Sequence, residues 1–306
     1  MEREGIILSH SGGHYTVLSE GERILCTARG GLRRRDEGPL TGDNVSLIRE
    51  DGEAAVGVIT GVMPRKSVLV RPPVANLDTL LLVSAVREPE INPENLDKLS
   101  AVAVHKKIRA VMVFTKAELD PPLAGELTKL YRAAGFAAES VSRDDPEAAR
   151  EKLLPYMAGH ISALAGASGV GKSTLIHLIF PALAPETGSI SEKSMRGRHT
   201  TRVTTLYPLG DLGVEAGGFL ADTPGFSMLD PEKFFQMEKE DLPFAFPEFA
   251  PFLGACRFTK CTHRTEDGCR ILEEVRAGRI DPGRHRHYKA LYDEMDARDP
   301  WKKKSK

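Results

Sequence analysis

The sequence lacks any long hydrophobic run, carries a single tryptophan and contains only four cysteines. A membrane-spanning helix needs roughly 20 consecutive apolar residues, so the sequence predicts none. The first residues, MEREGIILSH, also lack the apolar core of a signal peptide, and we expect a cytoplasmic protein. Four cysteines are too few for a disulfide framework. The formal net charge of -1 gives no overall attraction to nucleic acid, although short basic clusters occur.

Residues 1–72 are typical of an all-β domain. Short apolar strands alternate with glycine turns, among them Gly12-Gly13 and Asp51-Gly52. This pattern favours a small barrel, and an OB-fold is the architecture that best fits the length. The segment RPPVANLD, which contains two prolines, is predicted to be a linker.

From residue 73 to residue 230, strands alternate with helices. The apolar runs TLLLVSAV, IRAVMVFTK and ISALAG predict strands that are buried on both faces. Asn92 and Pro93 predict the start of one helix, and Gly135 the end of another. Alternating strands and helices predict an α/β domain with a parallel, doubly wound sheet. Residues 231–306 are predicted to form a third, mainly helical domain with a basic tail, WKKKSK.

The stretch GASGVGKST matches the G-x-x-x-x-G-K-[S/T] pattern of a phosphate-binding loop, and it lies between a buried strand and a helix. In such a loop, backbone N–H groups surround the phosphates, the lysine neutralises their charge and the first hydroxyl binds Mg²⁺. The predicted phosphate-binding residues are Gly166, Ala167, Ser168, Gly169, Val170, Gly171, Lys172, Ser173 and Thr174.

Two further stretches fit the same chemistry. DTPG follows an apolar strand, so that Asp222 is expected to hold Mg²⁺ through water and the Gly225 N–H to contact the γ-phosphate. The polar stretch GRHTT contains Thr200 and Thr201, and a GTPase needs a mobile threonine there to close on Mg²⁺. Of the two, Thr201 is preferred. The predicted magnesium ligands are Ser173, Thr201 and Asp222.

The stretch VMVFTKAELD is similar to the [N/T]-K-x-D loop that reads guanine. Thr115, Lys116 and Glu118 supply its chemistry, because a carboxylate accepts the N1–H and N2–H₂ of guanine together. Ser142, in SVSR, is predicted to lie in a companion loop at the base. The base loop precedes the phosphate loop in the chain, which indicates a circular permutation.

The sequence CRFTKCTHRTEDGC offers three thiols and one imidazole, from Cys256, Cys261, His263 and Cys269. This is a closed tetrahedral set, which suits one structural Zn²⁺. A domain this small would take much of its stability from the metal. The fourth cysteine, Cys26, is predicted to be a buried core thiol.

The permuted order, the barrel before it and the cysteine cluster after it closely resemble the ribosome small-subunit-dependent GTPase A (RsgA/YjeQ-like) family. The resemblance rests on RPPVANLD, TKAEL, GASGVGKSTL, GRHTT, DTPGF and the cysteine cluster, and it spans nearly the whole chain. It implies an OB-fold, a permuted GTPase domain and a zinc domain. It also implies binding to the 30S ribosomal subunit and its rRNA, with a role in late subunit assembly. The sequence departs from the family pattern at Thr115, Glu118 and Arg143.

The resemblance leads us to expect GTP or GDP as ligand, hydrolysis that the subunit stimulates, and a monomer without membrane attachment. Phe226 stands where other GTPases place a glutamine that orients water, so another group must do this. His199 is the predicted residue, with Lys172 and Thr201 as the other catalytic residues. A role of His199 as an RNA-facing switch residue stays open as the alternative. The basic stretch GRHRHYK is predicted to contact rRNA. A P-loop ATPase or kinase of another class, or a non-catalytic RNA-binding protein, stays open as an alternative.

Overall fold

The computed structural model describes residues 2–33, 38–49, 56–70, 73–183, 204–222 and 237–298. Its strands are β1 (Glu2–Ser11), β2 (His14–Ser19), β3 (Glu22–Ala28), β4 (Asn44–Arg49), β5 (Val56–Val62), β6 (Val68–Val70), β7 (Pro73–Ala75), β8 (Thr79–Ala85), β9 (Arg109–Thr115), β10 (Ala137–Ser140), β11 (Ile161–Ala165), β12 (Thr205–Pro208) and β13 (Phe219–Asp222). Its helices are α1 (Gly30–Arg33), α2 (Pro93–His105), α3 (Pro121–Ala133), α4 (Pro146–Leu153), α5 (Lys172–Ile179), α6 (Arg270–Arg276) and α7 (Pro282–Arg298). None of the helices in these ranges is long and apolar enough to cross a membrane.

The chain divides into two compact units. The first unit comprises Met1–Leu80, Asp145–Ala165 and Lys172–Met228. The second unit comprises Leu81–Asp144, Gly166–Gly171 and Leu229–Lys306.

The first unit contains a closed five-stranded barrel. Its strands follow the order β1-β2-β3-β5-β4, and β1 also pairs with β4, which closes the ring. Alternate residues point inward because successive side chains of a strand face opposite sides. The buried core is Ile7, Tyr15, Val17, Ile24, Cys26, Ala28, Leu32, Val45, Leu47 and Ile59. The predicted β-barrel and the buried position of Cys26 are therefore confirmed.

The segment predicted to be a linker is partly a strand. β7 pairs with β6 in a two-stranded antiparallel sheet, with Leu69 opposite Val74. This hairpin can lie close to the barrel because Gly42 has no side chain. A Cβ at its φ of +91° would lie 2.2 Å from the Ala75 oxygen. The Asn76 amide donates to the Gly42 oxygen at 2.9 Å and fixes the approach. The linker prediction was wrong for the part of the segment that β7 occupies, because Pro73 begins an edge strand there.

The first unit also contains the strands that carry part of the phosphate site. β11 and β13 are parallel, with Ala163 opposite Ala221, and β12 is antiparallel to β13. The C-terminal ends of β11 and β13 therefore lie at the same edge. β11 ends at Ala165, immediately before the phosphate loop, and β13 ends at Asp222.

The second unit contains β10, β9 and most of β8, in that order across the sheet. Its helix α2 begins as predicted, because the Asn92 side chain accepts a hydrogen bond from the Asn95 N–H at 3.0 Å. Helix α3 begins at Pro121, where the Asp120 carboxylate accepts from the Leu123 N–H at 3.1 Å. Gly135, with a φ of +88°, follows the end of α3 as predicted.

A buried ionic network joins the C-terminal segment to α2 in the second unit. Arg284 is 2% exposed and donates to Asp97 Oδ1, and its Nε lies 2.5 Å from Glu248 Oε1. Asp97 also accepts from the Tyr131 hydroxyl at 2.8 Å, and its Oδ2 lies 2.6 Å from His287 Nδ1. Rings surround the guanidinium, with the Phe246 centroid 5.2 Å away. Buried charges that are paired in this way hold their elements in one arrangement.

Candidate nucleotide-binding site and metal centre

The phosphate loop depends on three glycines. A Cβ on Gly166 would lie 2.1 Å from the Val83 oxygen, so only glycine fits where the loop leaves β11. Gly169 and Gly171 have φ values of +80° and +89°, which other residues rarely adopt. Ala167, Ser168 and Gly169 are exposed, whereas Val170 is buried. The loop thus presents its backbone outward on a buried anchor, as phosphate binding requires.

In the first unit, α5 begins at Lys172, the residue after the glycine loop. Burial lowers the pKa of the Lys172 ammonium group. Ser173 and Thr174 are exposed in the first turn of α5, where hydroxyl groups are accessible to a ligand. Asp222 is partly buried at the end of β13. Burial, and secondarily the Asp222 carboxylate, raises the pKa of the neighbouring Tyr207.

In the second unit, Thr115 connects the predicted base loop with the phosphate loop. Its hydroxyl donates to the Val170 oxygen at 2.6 Å, and the side chain is buried at the end of β9. Lys116 follows with a φ of +56°, which turns the chain out of the strand. The Lys116 ammonium group donates to the Glu88 oxygen. The structure therefore brings Thr115, Lys116 and Val170 together.

Glu118 lies in the short 3₁₀ turn after Lys116. Its side chain is 17% exposed, and its Oε1 lies 3.6 Å from Arg143 Nε. The other oxygen, Oε2, is buried and has no hydrogen-bond partner among the described residues. A buried carboxylate oxygen without a donor costs free energy unless a ligand supplies one. The N1–H and N2–H₂ groups of guanine are donors of the required kind.

The companion loop lies beside this turn. The Ala117 N–H donates to the Val141 oxygen at 3.2 Å, which places Ser142 next to the base loop. The Ser142 hydroxyl accepts from the Asp144 N–H at 3.0 Å and shapes the loop. The structure thus groups Glu118, Ser142 and Arg143.

Four predicted residues lie outside the described ranges. They are His199, Thr200, Thr201 and Gly225. Phe226 lies there too. Their roles stay predictions.

Sequence patterns missed two residues that support the base loop. Glu88 supplies the carbonyl that holds Lys116, and Arg87 donates to the Asp120 carboxylate at 2.9 Å. The Leu123 N–H and Arg87 hold the pKa of Asp120 below its usual value. No local pattern marks Glu88, because a backbone oxygen acts there and its side chain does not. The charges of Arg87 and Asp120 were visible in the sequence, but their pairing was not.

The four predicted zinc ligands form one cluster in the second unit. The ligand atoms of Cys256, Cys261, His263 and Cys269 all lie within 4.8 Å of one another. His263 Nδ1 lies 3.5 Å from the sulfurs of both Cys256 and Cys269, and those sulfurs are 4.0 Å apart. A tetrahedral Zn²⁺ with ordinary bond lengths requires about 3.5 Å between nitrogen and sulfur and about 3.8 Å between sulfurs. The residues therefore fit a zinc ion.

The environment of the cluster supports this assignment. Burial raises the pKa of the Cys261 thiol to about 12, so thiolates there require a nearby cation. Glu266 accepts hydrogen bonds from the backbone N–H groups of Thr262, Arg264 and Thr265, and so fixes the loop around His263. Burial raises the pKa of Glu266, but hydrogen bonds led by the Thr262 hydroxyl outweigh it and lower the value to about 2.

The stretch GRHRHYK supports the metal centre rather than presenting a continuous basic face. His285 Nε2 lies 2.8 Å from the His263 oxygen, and the Tyr288 hydroxyl donates to the Thr262 oxygen at 2.8 Å. Arg284, His285 and Tyr288 are all buried. For these three residues the predicted contact with rRNA was wrong, because their spacing on α7 turns them into the core.

Comparisons with known proteins agree with this geometry. The sequence model of the RsgA GTPase matches residues 62–232, and that of the RsgA N-terminal domain matches residues 4–59. The chain is 40% identical to a small ribosomal subunit biogenesis GTPase RsgA from Moorella thermoacetica, over 97% of this chain and 98% of that protein. It is 38% identical to the protein of the same name from Shouchella clausii, over 95% and 97% of the two chains.

Two solved structures share the fold. The crystal structure of YjeQ from Thermotoga maritima superposes with a TM-score of 0.81 at 32% identity, over 97% of this chain and 100% of that one. YloQ, described as a circularly permuted GTPase, superposes with a TM-score of 0.78 at 28% identity, over 98% and 97%. The predicted fold class, a permuted P-loop GTPase domain with an N-terminal barrel and a C-terminal metal-binding segment, is thereby confirmed. The chain belongs to the RsgA GTPase family and hydrolyses GTP.

Proposed function

We propose that this chain binds the small ribosomal subunit and its rRNA, acts in late assembly of the subunit, and hydrolyses GTP faster when it is bound. The observation that carries the proposal is the bond between the base loop and the phosphate loop, through Thr115 and Val170, in a chain that matches RsgA proteins over almost its full length. The relatives are named for small ribosomal subunit biogenesis. This supports the GTPase over a kinase, an ATPase of another class or a non-catalytic binder. A cytoplasmic, monomeric protein is part of the proposal.

In this proposal the chain binds the nucleotide at its base and at its phosphates. At the base, Glu118 accepts from guanine with its unpartnered oxygen, and Ser142 lies in the adjoining loop. At the phosphates, the backbone of residues 166–171 donates and Lys172 neutralises charge. Ser173, Asp222 and Thr201 would hold Mg²⁺, which when bound neutralises charge that develops on the phosphates.

The water-orienting role belongs to His199 in this proposal. A phenyl ring cannot accept a proton from water, so Phe226 is unsuited to it. The imidazole of a neutral histidine accepts a hydrogen bond near physiological pH. We expect His199 to lie beside the γ-phosphate when the subunit is bound. The contribution of one positioned base to turnover is typically about 10²- to 10⁴-fold.

Multiple-turnover hydrolysis of GTP and of ATP, each with and without purified 30S subunits, tests the proposal. We expect slow GTP turnover that rises sharply with subunits and no matching response to ATP. Equal use of ATP, or indifference to 30S subunits, would contradict it. His199→Ala should abolish the stimulated rate while the Kd for GDP stays unchanged. Stimulated turnover at the wild-type rate in this variant would remove His199 from the mechanism.

A further inference from the structure

The loop between the first two zinc ligands, residues 257–260, is here termed the knuckle loop. Its four residues, Arg257, Phe258, Thr259 and Lys260, are all exposed. Phe258 is 50% exposed, although it is a large apolar side chain. The Arg257 guanidinium carbon lies 5.4 Å from the centre of the Phe258 ring. Lys260, a second cation, follows Phe258 by two residues. The knuckle loop thus combines an exposed aromatic ring with two cations, which together suit a ligand that has a flat ring and negative charge.

The backbone of the knuckle loop is fixed at both ends. The Arg257 N–H donates to the Gly268 oxygen at 3.0 Å, and the Cys261 N–H donates to the Phe258 oxygen at 3.3 Å. The aliphatic part of Arg257 packs over Gly268, where a Cβ would lie 2.9 Å from the Arg257 Cβ. Cys256 and Cys261, the flanking residues, belong to the metal cluster. The ring is therefore presented on a rigid turn, which lowers the entropy lost on binding.

The charges around the ring select the occupant. Lys260 and Arg257 are cations, and Arg257 forms an ion pair with Asp267, at 3.7 Å and 97% exposed. An exposed ion pair of this kind contributes little and is readily exchanged for a stronger anion. A phosphate group is such an anion, because arginine binds it with charge-assisted hydrogen bonds. A nucleic-acid base can stack on the exposed ring. Zinc knuckles are among the modules that recognise single-stranded RNA through stacking.

We propose that the knuckle loop binds an unpaired nucleotide of ribosomal RNA, with the base stacked on Phe258 and the adjoining phosphates against Arg257 and Lys260. The inference rests on the proposed function, because that function brings the chain to the small subunit. It adds a defined contact, in which the ring provides stacking and the cations provide affinity that depends on salt.

Phe244 offers a matched control. It is another phenylalanine of the second unit, it is 68% exposed, and it lies in the 3₁₀ turn Leu242–Ala245. Its chain neighbours in the stretch EKEDLPF are mainly acidic, so a phosphate chain is not expected there. Loss of either ring removes a similar exposed apolar surface, but only Phe258 is flanked by cations.

The test compares wild type with Phe258→Ala, Phe258→Trp and Phe244→Ala, after the zinc content of each has been shown to match wild type. Binding is measured to 30S subunits and, separately, to a fluorescein-labelled single-stranded RNA of about ten nucleotides. We expect Phe258→Ala to weaken both by roughly tenfold, Phe258→Trp to retain both and Phe244→Ala to match wild type. Arg257→Gln should reduce the dependence of the RNA affinity on salt, by about one in the logarithmic slope.

Two outcomes separate this inference from the proposed function. If wild type binds 30S subunits and Phe258→Ala binds them equally well, the knuckle loop has no such role and the proposed function stands. If wild type does not bind subunits at all, the proposed function fails. The RNA affinities of wild type and Phe258→Ala then decide whether Phe258 stacks on a base. Photo-crosslinking from p-benzoylphenylalanine at position 258 identifies which molecule of the 30S subunit contacts the knuckle loop. Crosslinks to rRNA support the proposal, and crosslinks confined to ribosomal protein overturn it.

Discussion

At the scale of single residues, Thr115 shows how one short hydroxyl side chain joins two loops that are distant in sequence. Its hydroxyl donates to the Val170 oxygen at 2.6 Å, and its own backbone oxygen accepts from the Val86 N–H at 2.9 Å. The base loop is thus attached to the phosphate loop on one side and to the residue after β8 on the other.

Replacing Thr115 by alanine should weaken GDP binding. The Val170 oxygen would lose its donor, and one neutral hydrogen bond is worth about 1 kcal/mol, or roughly fivefold in Kd. Thr115→Ser keeps the hydroxyl and should retain the wild-type affinity. Titration with a fluorescent GDP analogue measures both. An unchanged Kd in Thr115→Ala would show that the bond does not support nucleotide binding.

Glu118→Gln should change the base that is preferred. An amide offers one acceptor and one donor, which suits the N1–H and the C2 oxygen of xanthine better than the two donor groups of guanine. We expect the GDP affinity to fall roughly 10- to 100-fold, since the lost bonds involve a charged group. Competition between GDP and XDP measures the change.

The control for this substitution is Arg143→Ala. The Arg143 side chain is 71% exposed, and an exposed ion pair contributes at most about 1 kcal/mol. Its effect on GDP affinity should therefore stay below roughly fivefold. Glu118→Gln with no loss of GDP affinity would exclude Glu118 as the guanine reader.

Those site residues could be predicted from the sequence that belong to a motif with fixed spacing. The phosphate-loop glycines and the four metal ligands follow fixed patterns, and the structure groups both sets. The Thr115–Val170 bond and the Arg143–Glu118 pair join segments that are distant in sequence. Such contacts depend on how loops meet, which no local pattern contains.

At the scale of elements, α7 is held against α2 by charge as well as by apolar contact. Arg284→Met should lower the free energy of unfolding by about 3–5 kcal/mol, because it leaves Asp97 and Glu248 buried without their cation. Urea unfolding followed by circular dichroism measures the loss. Arg23→Ala is the control, since the Arg23–Asp211 pair is exposed on both sides and should contribute almost nothing. Equal unfolding midpoints for Arg284→Met and wild type would contradict the structural role.

Elements with strong local signals were predicted well, and those that depend on packing were not. Helix α2 begins after the Asn92 cap, and the predicted strands β8, β9 and β11 are present. The prediction that RPPVANLD is a linker failed, because β7 is held by its pairing with β6 and by the Asn76 amide, which are contacts that the local sequence does not show. For Arg284, His285 and Tyr288 the predicted rRNA contact failed, because composition reports charge, whereas the helical phase decides which side chains are buried.

At the scale of the whole molecule, zinc should be a condition for the C-terminal part of the second unit to fold. Cys261→Ser removes one of four ligands, and we expect the zinc content to fall well below one ion per chain and the thermal transition to move lower. Elemental analysis and calorimetry measure these changes. Cys26→Ala is the control, because this thiol is buried in the barrel and should leave the zinc content at the wild-type value. Full zinc content in Cys261→Ser would exclude that ligand.

The bond from Thr115 to Val170 spans 55 residues, and the base loop is its earlier end. During synthesis at about 5–20 residues per second, the base loop therefore leaves the ribosome about 3 to 11 seconds before its anchor. In that interval the Thr115 hydroxyl has no Val170 oxygen to bind, and closing so long a segment costs conformational entropy. The nascent chain becomes able to bind GTP late, after the phosphate loop has emerged. Nucleotide can then stabilise the finished domain, but it cannot help the first half of the chain to fold.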